Sequence, residues 1–557
     1  MSDHPVPPGI EASKGFLDKF RQLGPNYRWW AAGVGMLGSF ATLLTSTIVN
    51  IAIPDIMGAL GMTPDEAQWL ATAFLAAGTV TMLITAWCIR AFGIAATYLF
   101  AMLVFIGGSF LGALAGTTET LLIARVIQGA AAGLVTPIGM VVTAQVFPIR
   151  QRGMAMGLMG VGTILAPALG PTMGGYLVDH LSWRWVFLAA VPFVALSLPM
   201  AKAFFPAREE TGPKPSFDWM GTLLCSLFIV GLLVGFASGQ RHGWHHDPAL
   251  WSIAIGTVAF FAWVGWEMFT PEPILELRLF LNPRFVAAAV VTFTVGIGLY
   301  GSTYVFPLFL QAVSQLIATD AGLLMAPAGL VMAVLFPLAG RLADLTSHRI
   351  MILIGLVFFA LSNYPMIYAD ALTPAVTMLW WYAVGRVGLA MIFPSLNAAA
   401  MNPLPIHLIA QGSGAINFLR QLGGAFGINL ISLAMQDRMV LHYDALNATQ
   451  TWDNSTTAEF MRLVIAEFQH LGLIGYRGFE ASFGYIQSVL AAQSTMLSYR
   501  DAFYLIGMVF VLSLIPAWFI AEQRQQPKPI ERPGPAADAE ASTFAAAKTD
   551  TTAKVDA

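Results

Sequence analysis

The chain alternates long apolar runs with short polar breaks. The runs cover residues 29–53, 66–89, 94–115, 119–147, 152–177, 183–204, 218–238, 248–269, 284–312, 320–340, 349–368, 374–399, 408–436 and 502–521. Each is close to the roughly 20 residues that cross a hydrocarbon core. A segment in lipid must satisfy its own backbone hydrogen bonds, so each run predicts a helix. The pattern predicts an all-α integral membrane protein with fourteen transmembrane helices. Residues 1–28 are polar, and the run after them is too long for the hydrophobic region of a signal peptide.

The breaks are short with one exception, residues 437–501. Phe460, Leu463, Val464, Phe468 and Leu471 recur there at helical spacing. The segment predicts an amphipathic helix or helical hairpin projecting from the outer face. It is either a cap over the outer mouth or a docking surface for a partner.

Charge fixes orientation rather than class. The chain is 57% hydrophobic and 11% charged, and its net charge of -3 excludes little. The distribution matters more. With the N-terminus inside, inner segments carry Lys14, Lys19, Arg28, Arg90, Arg150, Arg152, Lys202, Arg341 and Arg524, whereas short outer loops carry only Arg184 and Arg241. That bias places both termini in the cytoplasm. The tail after Pro527 reads as disordered. Cys88 and Cys225 fall inside spans and read as packing residues. His242, His245 and His246 cluster in an outer loop, but no metal and no cofactor is expected there.

GRLADLTSHR (340–349) and AWCIRAFG (86–93) follow the second span of each of two six-span blocks. The repeat predicts a cytoplasmic segment 1–28, a six-helix half 29–204, two inserted helices in 205–283, a second half 284–521 holding the long outer loop, and a tail 522–557. Paired halves of this kind hold a substrate site between them near the bilayer midplane.

Polar residues within the spans mark candidate chemistry. Arg125, Arg386 and Arg420 are predicted inside the membrane, where a cation must face a cavity or a partner. Gln128 lies near Arg125 on its helix. Asn417 and Gln421 are one turn apart and share a face with a choice of roles, lining a cavity or bonding between helices. In span 5, Gly170, Gly174 and Gly175 allow close helix approach, and Pro167 and Pro171 remove backbone donors and bend the helix. No Asp or Glu falls in the centre of any span. No nucleotide-binding loop or activated nucleophile appears, so an enzyme or ATP-driven pump is not expected, and nothing points to nucleic acid.

Several strings converge on one resemblance: STIVNIAIP (46–54), RVIQGAAAG (125–133), APALGPTMGG (166–175), SWRWVFLAAVP (182–192) and NFLRQLGGAFG (417–427). Together they resemble the fourteen-helix drug:proton antiporter branch of the major facilitator superfamily. The outer loop before the last helix is similar to that of EmrB-like multidrug translocases. The resemblance implies export of amphipathic small molecules by alternating access, with proton coupling. It implies an inner-membrane location and a periplasmic adaptor leading to an outer-membrane channel, docked near 437–501. It places Asn50, Arg125 and Gln128 in the substrate and proton pathway, with Arg386, Asn417, Arg420 and Gln421 added by their predicted depth. It makes the span 5 string a hinge or seal, and Asp344 with Arg349 an inner-loop gate.

Two departures stand out. Thr45 occupies the position where the branch usually has an acid, and Arg90, Ile94, Ala95 and Ala96 replace a charged loop pattern. Three cations with few buried acids predict a preference for hydrophobic weak acids. An uncoupled facilitator and a non-transporting scaffold or receptor are the alternatives.

Overall fold

The structure is a computed structural model. It describes residues 10, 12–208, 216–243, 247–316, 318–451, 453–473 and 475–520, apart from some side chains within helices. Residues 521–557, which hold the expected tail, and the histidines 245 and 246 lie outside the described residues, as does the side chain of His242.

The first helix, α1 (Lys14–Leu23), buries Phe16 and Phe20 beside Tyr27. It is an amphipathic clamp inside a stretch that reads as merely polar. Lys19 Nζ donates to the Ala203 carbonyl at 2.9 Å, which ties α1 to the end of the first half. Helix α2 (Tyr27–Ile51) is the first span, and the short α3 (Ile53–Leu60) follows it. Gly61, with φ +65, ends α3 in the left-handed region. Helix α4 (Pro64–Phe92) begins with a capping box between Thr63 and Glu66. Helices α5 (Ile94–Ala113), α6 (Thr118–Val146) and α7 (Arg152–His180) follow. The sixth span is broken into α8 (Trp185–Leu188) and α9 (Val191–Phe204). Pro192 lacks the N–H that would continue the ladder.

Helices α10 (Trp219–His242) and α11 (Asp247–Phe269) form the inserted pair. They pack on each other, and α10 also touches α4 of the first block and the later helix at 406–448. The second block comprises α12 (Pro283–Ala312), α13 (Ala318–Leu345), α14 (His348–Asn363), α15 (Ala375–Met401) and α16 (Ile406–Ala448). Helices α17 (Ser455–His470) and α18 (Tyr476–Trp518) complete the chain. Among the described residues, 13 helices are long and apolar enough to cross a membrane. Helix α7, 29 residues long, holds the remaining expected span.

The long outer segment differs from a separate appendage. Helices α16 and α18 are each 43 residues long and run straight out of their spans into it. From 428 to 448 there is no Gly or Pro to stop α16. Hydropathy falls there while helical continuity does not. Helix α17 then packs Met461 against Ile486 and Leu490 of α18, with Tyr443 and Leu446 of α16 alongside. Val464 is buried, but Phe460, Leu463 and Leu471 are exposed, so only part of the predicted apolar stripe faces inward. Where α16 leaves its span, His442 Nε2 meets Asp501 Oδ2 of α18 at 2.9 Å.

The two blocks meet along two seams. Helix α7 lies against α13, and α4 with α6 lies against α16. The ends of α7 and α13 that hold Arg152 and Leu345 are called inner here, following the Lys and Arg bias.

Candidate functional site

Polar side chains in the second block gather around one face of α12. Arg386, on α15, is 6% exposed. Its Nη2 donates to Thr303 Oγ1 at 3.1 Å and also to the Tyr382 hydroxyl. The guanidinium carbon stands 4.3 Å from the Tyr382 ring centre, and that ring stacks on Phe306. Arg420, on α16, donates from Nη1 to Asn397 Oδ1 at 3.3 Å and from Nη2 to Asn417 Oδ1. Tyr300, one turn before Thr303 on α12, lies within electrostatic reach of Arg420. Among the described residues, no carboxylate pairs with either arginine. Among the described residues, the two cations therefore meet hydroxyl, amide and aromatic partners.

The adjoining face of α16 forms the seam with the first block. Gln421 Nε2 donates to the Leu75 carbonyl of α4 at 3.1 Å. Ser413 Oγ donates to the Pro137 carbonyl of α6 at 3.1 Å. Asn417, 3% exposed, reaches Met140 Sδ at 3.5 Å. The shared face of Asn417 and Gln421 thus stands between helices of the two blocks in this conformation.

Arg125 sits apart from the other two arginines, at 0% exposure within the first block. Its Nε donates to the Leu70 carbonyl at 2.8 Å, and its guanidinium lies 4.3 Å from the Phe74 ring centre. Its Nη1 donates to Gln128 Oε1 at 3.2 Å, and Gln128 Nε2 donates to Ser109 Oγ at 3.0 Å. Nη2 is buried without a hydrogen-bond partner. Arg125 and Gln128 are together, as their spacing predicts. Residues 70–75 of α4 hold both Arg125 and Gln421, so a turn and a half of helix separates the first block's cation from the seam.

Thr45 is 0% exposed, and its hydroxyl donates to the Ala41 carbonyl of its own helix at 3.2 Å. Asn50 lies on α2, with its side chain outside the described residues. Helix α7 continues through Pro167 and Pro171, whose side chains are likewise undescribed. Gly170 packs against Thr47 of α2, inside its own block, while Gly175 has open space beside it. Gly174 is buried.

The contact with α13 comes from an earlier part of α7. A Cβ on Gly157 would stand 2.5 Å from the Phe336 carbonyl, and one on Gly153 would stand 2.7 Å from that of Gly340. Gly153, Gly157 and Gly340 let the two backbones approach. Sequence reasoning missed them, although the four-residue spacing of Gly153 and Gly157 was a usable signal. Thr303, Tyr300, Tyr382 and Asn397 were missed as well. Their signal was a polar group in an apolar span.

The pair expected at an inner-loop gate, Asp344 and Arg349, also differs in its contacts. Asp344 accepts from the backbone N–H groups of Gly153 and Met154, both at 2.8 Å. It completes the N-terminus of α7 from across the seam rather than meeting Arg349. Arg349 instead stacks on Trp518, 4.1 Å from the ring centre. The helix terminus offers Asp344 two donors and a positive dipole end in fixed positions. Arg152 Nη1 donates to Asn402 Oδ1 at 3.3 Å, a further bridge between the blocks at this end.

A family model described as the Major Facilitator Superfamily matches residues 35–428. The chain belongs to the major facilitator superfamily. Among relatives of this superfamily member, the uncharacterized MFS-type transporter YcnB of Bacillus subtilis is 32% identical, over 73% of this chain and 86% of its own. The multidrug export protein EmrB of Haemophilus influenzae is 28% identical, over 87% and 94%. EmrB of Escherichia coli is 26% identical, over 87% and 93%. The solved structure of the proton:xylose symporter XylE shares the fold, with a TM-score of 0.57 and 14% identity over 89% of this chain and 96% of that one. The human organic anion transporter MFSD10 (TETRAN) does so with a TM-score of 0.56 and 14% identity, over 87% and 99%.

Proposed function

We propose that this protein is a secondary active exporter of amphipathic small molecules, with a preference for hydrophobic weak acids. The observation that carries the reading is the pair Arg386 and Arg420, held around α12 without a carboxylate partner. An anionic headgroup supplies the missing countercharge, while Phe306, stacked on Tyr382, and Phe393, beside Arg420, suit an apolar body. The multidrug export relatives support the transport class. The blocks 29–204 and 284–521 are the two rocking halves, with 205–283 inserted between them. Protons drive export. Glu66 is occupied in the Thr63 capping box, which leaves exposed Asp55 as the freer peripheral acid, or a proton carried on the substrate. The location is the bacterial inner membrane with both termini cytoplasmic, and α17 with the outer ends of α16 and α18 receives a periplasmic adaptor that leads to an outer-membrane channel.

The test is substrate-induced proton release in everted vesicles with a panel of anionic and cationic amphiphiles. Release by anions, lost in Arg420→Ala, is expected. Preference for cations, or full release in the variant, refutes the anionic site. One observation favours a second reading, an uncoupled facilitator: Thr45, at the usual acid position, is satisfied by its own helix. Substrate equilibration that ignores the pH gradient selects it.

A further inference from the structure

The inserted helix pair holds two buried carboxylates outside the region described above. Asp218 caps α10 and is 7% exposed; Glu267, near the end of α11, is 3% exposed. Asp218 Oδ1 accepts from the Gly221 N–H at 2.8 Å and from Trp266 Nε1 at 2.9 Å. Asp218 Oδ2 is buried and has no hydrogen-bond partner. Glu267 Oε1 accepts from Trp263 Nε1 at 2.8 Å, and Oε2 from the Leu275 N–H at 3.4 Å. The unpartnered Oδ2 and Glu267 Oε1 flank the same point. A Cβ on Gly221 would run into the first and stand 2.9 Å from the second. Glycine at 221 keeps that space open between them.

Among the described residues, the surroundings do not neutralise this pair. Cys225, Trp263, Ile274 and Leu275 enclose it, all nearly inaccessible. Glu272 has a buried oxygen of its own without a partner, and Glu276 pairs with Arg278 at 3.7 Å. Among the described residues, no Lys, Arg or His forms an ion pair with Asp218 or Glu267. Nor do these residues include a cluster of three metal-ligating groups. Two like charges in an apolar pocket without a cation do not both ionise.

We propose that Asp218 and Glu267 bind one proton between them, making the inserted pair a proton site separate from the arginine region. Asp218 has the two strong donors on Oδ1 and is the ionised partner. Glu267 carries the proton toward the free Oδ2. Phe217, the residue before Asp218, packs on Trp87 of α4 with ring centres 4.6 Å apart, so the site abuts a seam helix.

The test is pH-titrated infrared spectroscopy of the full-length protein in lipid nanodiscs. It needs no substrate, so it stands apart from the export reading. The wild type is expected to keep a protonated-carboxyl C=O absorption at neutral pH that Glu267→Gln removes. Asp218→Asn is expected to keep the absorption with its titration midpoint lowered by about one to two pH units, because the like charge is gone. Glu267→Asp, which retains an acid, is expected to retain the absorption and guards against a loss caused by misfolding. Equal absorption in the wild type and Glu267→Gln overturns the proposal, as does an unmoved midpoint in Asp218→Asn.

Discussion

Removing the Asp344 carboxylate should open the inner seam. Asp344 accepts two backbone N–H groups at 2.8 Å, and both belong to α7 of the other block. A hydrogen bond to a charged group contributes about 1.5–3 kcal/mol. The favourable dipole of a helix N-terminus adds about 0.3–1 kcal/mol. Asp344 is half-buried and the two bonds share one acceptor group, so a total of about 3 kcal/mol is more realistic than the full sum. In Asp344→Ala that energy is lost from the conformation with the inner ends joined. The population ratio should move toward separated inner ends by about 100-fold. Asp344→Asn should fall between the parent and Asp344→Ala, because its Oδ1 can still accept one N–H while its NH2 places a donor against the other. Arg150 and Thr346 are exposed on either side of the seam and suit spin labels through cysteine substitutions, with Cys88 and Cys225 replaced by alanine. Pulsed electron–electron distance measurements read the result. A short-distance population equal in Asp344→Ala and its parent refutes the reasoning.

Other outcomes follow from the same contacts. Gly157→Val should lower thermal stability by about 1–3 kcal/mol through overpacking against Phe336, whereas Gly175→Ala, beside open space, should change it little; melting of both variants in detergent checks this. Arg349→Ala should cost only about 0.5–1 kcal/mol from the lost stacking on Trp518 and leave the label distances unchanged. Replacing 453–473 with a Gly-Ser linker should abolish adaptor capture and leave the spans folded. Because residues from 476 onward are the first turns of α18, a longer deletion would shear a spanning helix. Retained capture by the linker variant, measured by co-purification, removes the docking role.

Much of the architecture was legible in the chain because lipid imposes one rule on every span. Apolar length and closed backbone hydrogen bonding locate the helices without reference to neighbours. The same rule misjudged the outer segment, since α16 and α18 remain helical beyond the point where their hydropathy falls. It also passed over α1, whose Phe16 and Phe20 are too few to register as a span yet enough to clamp the inner end.

The site divides in the same way. A charge inside a span is visible in the sequence because it is expensive there, so Arg125, Arg386 and Arg420 announced themselves. Their partners did not. Thr303 is 83 residues from Arg386, and Leu75 is 346 residues from Gln421, so no local pattern joins them. Asp344 and Arg349 looked like a pair because they are neighbours in the chain. The fold gave one to a helix N-terminus across the seam and the other to an indole. Asp218 and Glu267 are 49 residues apart in the chain, each at a helix end, but the packing of α10 on α11 buries them together. What each residue costs in a membrane is a property of its side chain and can be read from the chain alone. Which distant group offsets that cost was settled by packing, because desolvation belongs to one side chain and hydrogen bonding requires two.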